Sequence, residues 1–180
     1  SARIIEEVLV GPSLGADATK AGLVSLGVSL LLIIIFMIFF YSGAGVVANL
    51  VLLLNLFMII GLMAGFGSTL TLPGLAGLVL TMGIAVDANV IIYERVKEEL
   101  RLGKSALIAA QEGFKHSLPA ILDGNITTLL TGVILAWIGI GPVKGFAITL
   151  IIGIFTTLFT ALLISRIIIE KRLESGKSLS

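Results

Sequence analysis

The stretch from Ala21 to Val86 carries no charged residue over 66 positions. A bilayer core takes about 20 helical residues per crossing, so three helices fit inside it. The composition agrees: 57% of residues are hydrophobic, 13% are charged and the mean hydropathy is +1.15, values that describe a polytopic membrane chain and not a soluble domain. A net charge of +1 offers nucleic acid no electrostatic footprint, so no nucleic-acid partner is expected. The absence of cysteine excludes thiolate chemistry and a disulfide framework.

Gly and Pro concentrate where membrane helices begin and end, and they divide the apolar sequence into five runs. The first helix is expected at 21–41, with Asp17 as a plausible N-cap, ending at Ser42-Gly43-Ala44-Gly45. The second runs over 46–64 and yields to Gly65-Phe66-Gly67-Ser68. The third covers 71–93, with Pro73 in the first turn where its missing N–H costs nothing. The fourth spans 118–137, opening at Ser117-Leu118-Pro119 and closing near Trp137, an aromatic suited to the interface. The fifth spans 142–165, launched by Gly139-Ile140-Gly141-Pro142. The fold class is therefore all-α integral membrane, with five transmembrane helices and one short amphipathic helix in the cytoplasmic segment 94–117. Residues 21–165 form the membrane domain.

Lys and Arg set the orientation, because they favour the cytoplasmic side of short loops and helix ends. Arg95, Lys97, Arg101, Lys104, Lys115, Arg166, Lys171, Arg172 and Lys177 fall on one side, against Arg3, Lys20 and Lys144 on the other. This puts the N-terminus outside and the C-terminus inside. No basic region followed by an apolar core precedes the first helix, so the chain is expected to be a piece whose earlier helix is missing. Residues 1–20, beginning "SARIIEEVLVGPSLG", suggest the last strand of an extracytoplasmic domain and its lead-in, with an amphipathic lead-in as the alternative. Residues 166–180 are expected to form a cytoplasmic tail, flexible at "ESGKSLS".

Within 94–117, Glu94–Leu102 should extend the third helix into water, with Glu94 and Glu98 spaced to pair with Lys97 and Arg101. Gly103 ends that extension, and Ser105 can cap "ALIAAQEGFKH", whose Leu107, Ala110 and Phe114 share one face. That piece is expected to lie along the lipid surface. Two "GKS" triplets, at Gly103 and Gly176, lack the glycine and the strand a phosphate loop needs, so no nucleotide cofactor is expected. His116 has no clustered ligands in the sequence around it, and no metal is assigned to it. No nucleophile–base pair supports an enzymatic activity.

The remaining signal is polarity inside apolar helices. Asp87 interrupts the third run, where a charge costs at least about 2.5–3.5 kcal/mol. Its helical face carries Gly83, Leu80 and Ala76–Gly77, small enough for another helix to approach, while Asn89 points to nearly the opposite side. In the fourth run Asp123, Thr127 and Thr131 repeat at four-residue spacing, with Gly124 and Thr128 beside them. These groups could be structural glue. Their rarity in membranes favours proton binding instead, since a low dielectric favours the neutral carboxyl and a wetter setting releases its proton.

"TLPGLAGLVLTMGIAVDANVIIYERVKEELRLGKS" and "GFKHSLPAILDGNITTLLTGVILAWIGIGPVKGFAITLIIGI" resemble the C-terminal membrane half of the SecD/SecF protein-export family, within the resistance-nodulation-division superfamily. "VGPSLGADATKAG" resembles that family's entry into its second membrane helix. The resemblance covers nearly the whole chain and implies the second to sixth helices of a six-helix half. It also implies a multi-pass protein of the bacterial inner membrane. In "VDANV" the implied proton-relay residue is Asp87; "DGN-TT" supplies Asp123 as a second relay residue, with Asn125, Thr127 and Thr128 in a polar seam that Thr131 extends. Independently of the resemblance, Gly77, Gly83 and Gly124 are read from their place beside the acids as helix-packing glycines. The implied function is proton-driven assistance to preprotein translocation, without cofactor and with sodium open as an alternative ion. The implied partners are a SecF half, separate or fused, the SecYEG channel, and a preprotein engaged by a periplasmic domain lying outside this chain. Alternatives are half of a proton-driven lipid or drug exporter, or a non-transporting scaffold.

Overall fold

The computed structural model describes residues 12–68 and 70–175, with side chains from residue 15 on. Every element among them is helical: α1 (Pro12–Gly65), α2 (Leu72–Arg101), α3 (Ala106–Ile138), α4 (Pro142–Phe159), a π-helical turn (Thr160–Ile164) and α5 (Ser165–Glu174). Four helical stretches are long and apolar enough to cross a membrane, the last running through the π turn from Pro142 to Glu174. The strand expected in the first residues lies outside the described part.

The start of α1 differs from expectation. Proline suits a first helical turn, and helix begins at Pro12, so Asp17 lies inside it and is no cap. Three of the four prolines do open helices, but they are Pro12, Pro73 and Pro142.

The expected loop after residue 41 is compressed into one residue. Ser42 takes φ 44° and ψ −117°, and helix resumes at once. The two arms of α1 fold back on each other around this corner. Asn49 Nδ2 donates to the Ile34 carbonyl at 3.2 Å, although residues 15 apart on a straight helix lie about 22 Å apart. Leu26 shares a buried cluster with Ile59, Ile33 with Leu52, and Met37 with Ala48, a steadily antiparallel register. Gly45 is needed where the arms diverge, because a Cβ there would overlap the Met37 carbonyl.

α2 and α4 form the centre. Thr71 caps α2 by accepting from the Gly74 amide at 3.2 Å, with Pro73 just inside. The α2–α4 contact is a seam of small residues: Gly74 and Gly77 meet Thr149, and Gly153 meets Thr81 so closely that no Cβ fits. Thr81 and Thr149 return their hydroxyls to the carbonyls of Gly77 and Gly145 one turn back, which satisfies them within their own helices; Thr149 Oγ1 also lies 3.6 Å from Met63 Sδ. The outer faces of α1 and α3 present Phe39, Phe57 and Trp137 to the surroundings, as a bilayer solvent permits.

α3 corrects two expectations. The amphipathic piece does not lie apart on the lipid surface: it forms the first turns of one continuous helix, and Pro119 sits in that helix's interior. Ala109, Ala110, Gly113 and Phe114 are buried, and Gly113 lies against Val96, so the apolar face packs on the extension of α2. Burial of that face outweighs the one backbone hydrogen bond that Pro119 removes. The expected tail is helical over its first part, Ser165–Glu174 belonging to α5, and residues 176–180 lie outside the described part.

The bundle has two distinct ends. At one, Leu72 and Leu75 approach Gly22, and Thr71 approaches Gly145. At the other, Lys97 Nζ stands 4.3 Å over the Tyr41 ring and Arg172 donates to the Gly43 carbonyl at 3.3 Å. Arg95, Lys97, Arg101, Arg166, Lys171 and Arg172 belong to helices meeting at this second end, and Lys104 lies in the turn between α2 and α3.

Candidate functional site

α2 turns two chemically different faces outward and inward. Thr81, Ala85, Ala88, Asn89 and Ile92 are buried, whereas Leu80, Gly83 and Asp87 are exposed. Asp87 thus sits on an exposed side of α2, and its carboxyl has no hydrogen-bond or ion-pair partner among the described residues. Gly83 has nothing within 4 Å of an added Cβ, and the same holds for Gly124 on α3. Gly77 stands apart from them, because it lies on the buried face against Thr149 and the Phe146 carbonyl. The three glycines predicted together therefore belong to two surfaces.

α3 carries the second polar set. Asp123, Thr127 and Thr131 lie exposed along it, and Thr128 is half-buried. The threonine hydroxyls are spent on their own helix: Thr127 donates to the Gly124 carbonyl at 2.9 Å, Thr128 to the same carbonyl at 2.8 Å, and Thr131 to the Thr127 carbonyl at 3.1 Å. Asn125 is buried and gives its Nδ2 to the Ile121 carbonyl at 2.8 Å.

The two sets meet in a cleft of about 150 Å³ between α2 and α3, lined by Asp87, Ala88, Ile91, Ile121, Gly124, Asn125 and Thr128 among others. The cleft unites Asp87 with three of the residues predicted from "DGN-TT". It does not include Asp123, Thr127 or Thr131, whose side chains stand on the open face beside it.

A second polar centre, not predicted, lies at the basic end. Lys104 Nζ sits 2.6 Å from Glu99 Oε2 and 2.8 Å from Glu112 Oε2, and His116 Nδ1 lies 3.0 Å from Glu99 Oε1. The Lys104 hydrogen bond, and after it the His116 one, holds the Glu99 carboxyl below the usual carboxylate range. Lys104 holds Glu112 low in the same way, and Glu112 followed by Glu99 pushes the Lys104 ammonium up. Ligand atoms of Glu99, Glu112 and His116 lie within 4.8 Å of one another, as a metal would require. The Lys104 ammonium already supplies the cation between the two carboxylates. Sequence reasoning missed this cluster because Glu99 and His116 are 17 residues apart on different helices. Glu94 pairs with Lys97 at 2.8 Å as expected, but Glu98 takes Arg95 at 2.6 Å in place of Arg101.

Among the described residues, four helical stretches long and apolar enough to cross a membrane, with Asp87 and Asp123 set into them, indicate a multi-pass membrane protein. Residues 1–174 match the family described as "Protein export membrane protein SecD/SecF, C-terminal". The chain belongs to this family. It is 52% identical over 167 residues to the protein translocase subunit SecD of Desulfurispirillum indicum, covering 93% of this chain and 32% of that protein. Against the SecD of Koribacter versatilis it is 47% identical over 183 residues, covering 100% and 34%. The crystal structure of SecDF from Thermus thermophilus, described as a translocon-associated membrane protein, superposes with a TM-score of 0.90 at 46% identity, covering 93% of this chain and 23% of that one. SecDF in its super-membrane-facing form gives 0.87 over the same shares. The chain therefore spans about a third of the length of these curated relatives and about a quarter of the solved structures. The family resemblance read from the two long stretches, Thr71–Ser105 and Gly113–Ile154, is borne out.

Proposed function

We propose that this chain is the energy-coupling membrane half of a protein-export subunit driven by the proton-motive force, working with a SecF-type half beside the SecYEG channel. The observation that carries this reading is the α2–α3 cleft, where Asp87 faces Gly124, Asn125 and Thr128 on a side of the bundle left open by its own helices. A carboxyl group there exchanges a proton as the partner half alternately covers and wets the cleft. Each proton moving inward gains about 2.3 kcal/mol per 100 mV of membrane potential. No nucleotide is consumed, and Asp123 and the threonine stripe border the route on the open face.

The Ser42 corner and the antiparallel arms of α1 support five crossings, with the N-terminus periplasmic and the C-terminus cytoplasmic in the bacterial inner membrane. The gathering of basic side chains at the end holding Glu99 and Arg172 supports the same orientation. The full-length protein, bound to its SecF half and SecYEG in inverted membrane vesicles, should complete preprotein export faster when a proton gradient is imposed. Equal export with and without the gradient would defeat the proposal, and stimulation by a sodium gradient alone would reassign the ion.

A further inference from the structure

Four asparagines are buried in this bundle, and each commits its amide nitrogen. Asn49 donates to the Ile34 carbonyl, Asn55 to Thr157 Oγ1 at 3.1 Å, Asn89 to the Ala85 carbonyl at 3.0 Å and Asn125 to the Ile121 carbonyl at 2.8 Å. A backbone carbonyl only accepts, so the nitrogen of Asn125 must face Ile121 and its Oδ1 must face away. That oxygen is buried and finds no donor among the described residues, as is true also of the Oδ1 atoms of Asn49, Asn55 and Asn89. Asn125 differs from the other three in lining the cleft that Asp87 lines. The hydroxyl in the cleft lining, that of Thr128, already donates to the Gly124 carbonyl.

An ionised carboxylate has only acceptors, whereas a protonated one has a single O–H to give. We propose that Asn125 is the hydrogen-bond acceptor for the proton-loaded form of Asp87. This deepens the proton-relay reading and rests on it. When Asp87 takes up a proton, its O–H donates to Asn125 Oδ1, both groups are satisfied, and the cleft closes dry. When the proton leaves to water, two acceptors face each other and a water molecule must enter to donate to both. The cleft, at about 150 Å³, has room for it. Asn125 thereby ties the charge of Asp87 to the wetness of the cleft, as a positioning residue.

Among the described residues, no other charged side chain lines the cleft. Residues 21–65 of α1 and 145–159 of α4 hold no charged side chain, and the next charges on α2 are Glu94 and Arg95, about two turns beyond Asp87. On α3 the adjacent charge is Asp123, which is exposed and outside the cleft lining.

The test is infrared difference spectroscopy of the full-length protein in its assembled complex, comparing acidic with alkaline buffer. A protonated-carboxyl band that vanishes in Asp87→Asn identifies Asp87. In Asn125→Leu, and in Asn125→Ala should the larger side chain fail to assemble, the band should move to higher wavenumber as its O–H loses the acceptor. Thr128→Val should leave it in place. A band unmoved by either Asn125 variant, or moved equally by Thr128→Val, overturns the inference while sparing the relay. Absence of any Asp87 band in the parent complex overturns both.

Discussion

Gly113 of α3 lies so close to Val96 of α2 that a Cβ on it would stand 3.0 Å from the Val96 nitrogen and 2.5 Å from Cγ2. The contact fastens the first turns of α3 to the extension of α2, and backbone cannot yield as a side-chain tip can. Gly113→Ala should therefore cost about 1–3 kcal/mol by overpacking. Gly83→Ala and Gly124→Ala meet nothing among the described residues and should leave the chain's own stability unchanged or slightly raised. If their role is to admit the partner half, they should instead weaken its capture in a pull-down. Thermal unfolding in detergent separates the two classes, and equal losses at all three glycines would contradict the assignment.

The corner at Ser42 makes a prediction about sidedness. Single cysteines at Ser42 and Gly103 should be labelled by an impermeant thiol reagent from the same side of the membrane, and one at Gly141 from the other. Opposite labelling of Ser42 and Gly103 would mean that α1 does not reverse within the membrane.

The Lys104 cluster should give the segment 94–117 a defined pH window. Glu99 and Glu112 are held low, so their contribution is present above the ordinary carboxylate range and is lost as pH falls through their lowered values. Lys104 is held high, so its contribution is present below the ordinary lysine value and is lost as pH rises through the raised one. Amide hydrogen exchange, corrected for its intrinsic pH dependence, should show steady protection of this hairpin between roughly pH 5 and 10. Lys104→Met strands the Glu99 charge, and protection should fall at neutral pH and recover in part on acidification. Unchanged protection in that variant would show the cluster to be idle.

The features most legible in the sequence were those written in local pattern. A charge-free run, prolines at helix starts and the acid in "VDANV" each fit within one turn or one helix, and the structure places Asp87, Gly124, Asn125 and Thr128 in one cleft. What escaped notice depends on pairs distant in sequence. Glu99 and His116 meet only because Gly103, at φ 84°, reverses the chain between them. Pro119 looked like a helix start because a missing N–H costs nothing there, but burial of Ala109, Ala110 and Phe114 carried the helix through it. The α4 row Gly145, Thr149, Gly153 repeats at four-residue spacing and was a readable signal for the α2–α4 seam.

The central claim is that Asp87 is present because it titrates. Asn is close to Asp in size and forms hydrogen bonds, yet holds no exchangeable charge, so Asp87→Asn isolates that property. In the full-length protein with its partners, the variant should insert and assemble as the parent does. Measured as preprotein export in inverted vesicles, it should show no acceleration when the proton gradient is imposed, while Asp87→Glu keeps part of it. An Asp87→Asn complex that responds to the gradient as fully as the parent would contradict the account and leave Asp87 as a packing residue.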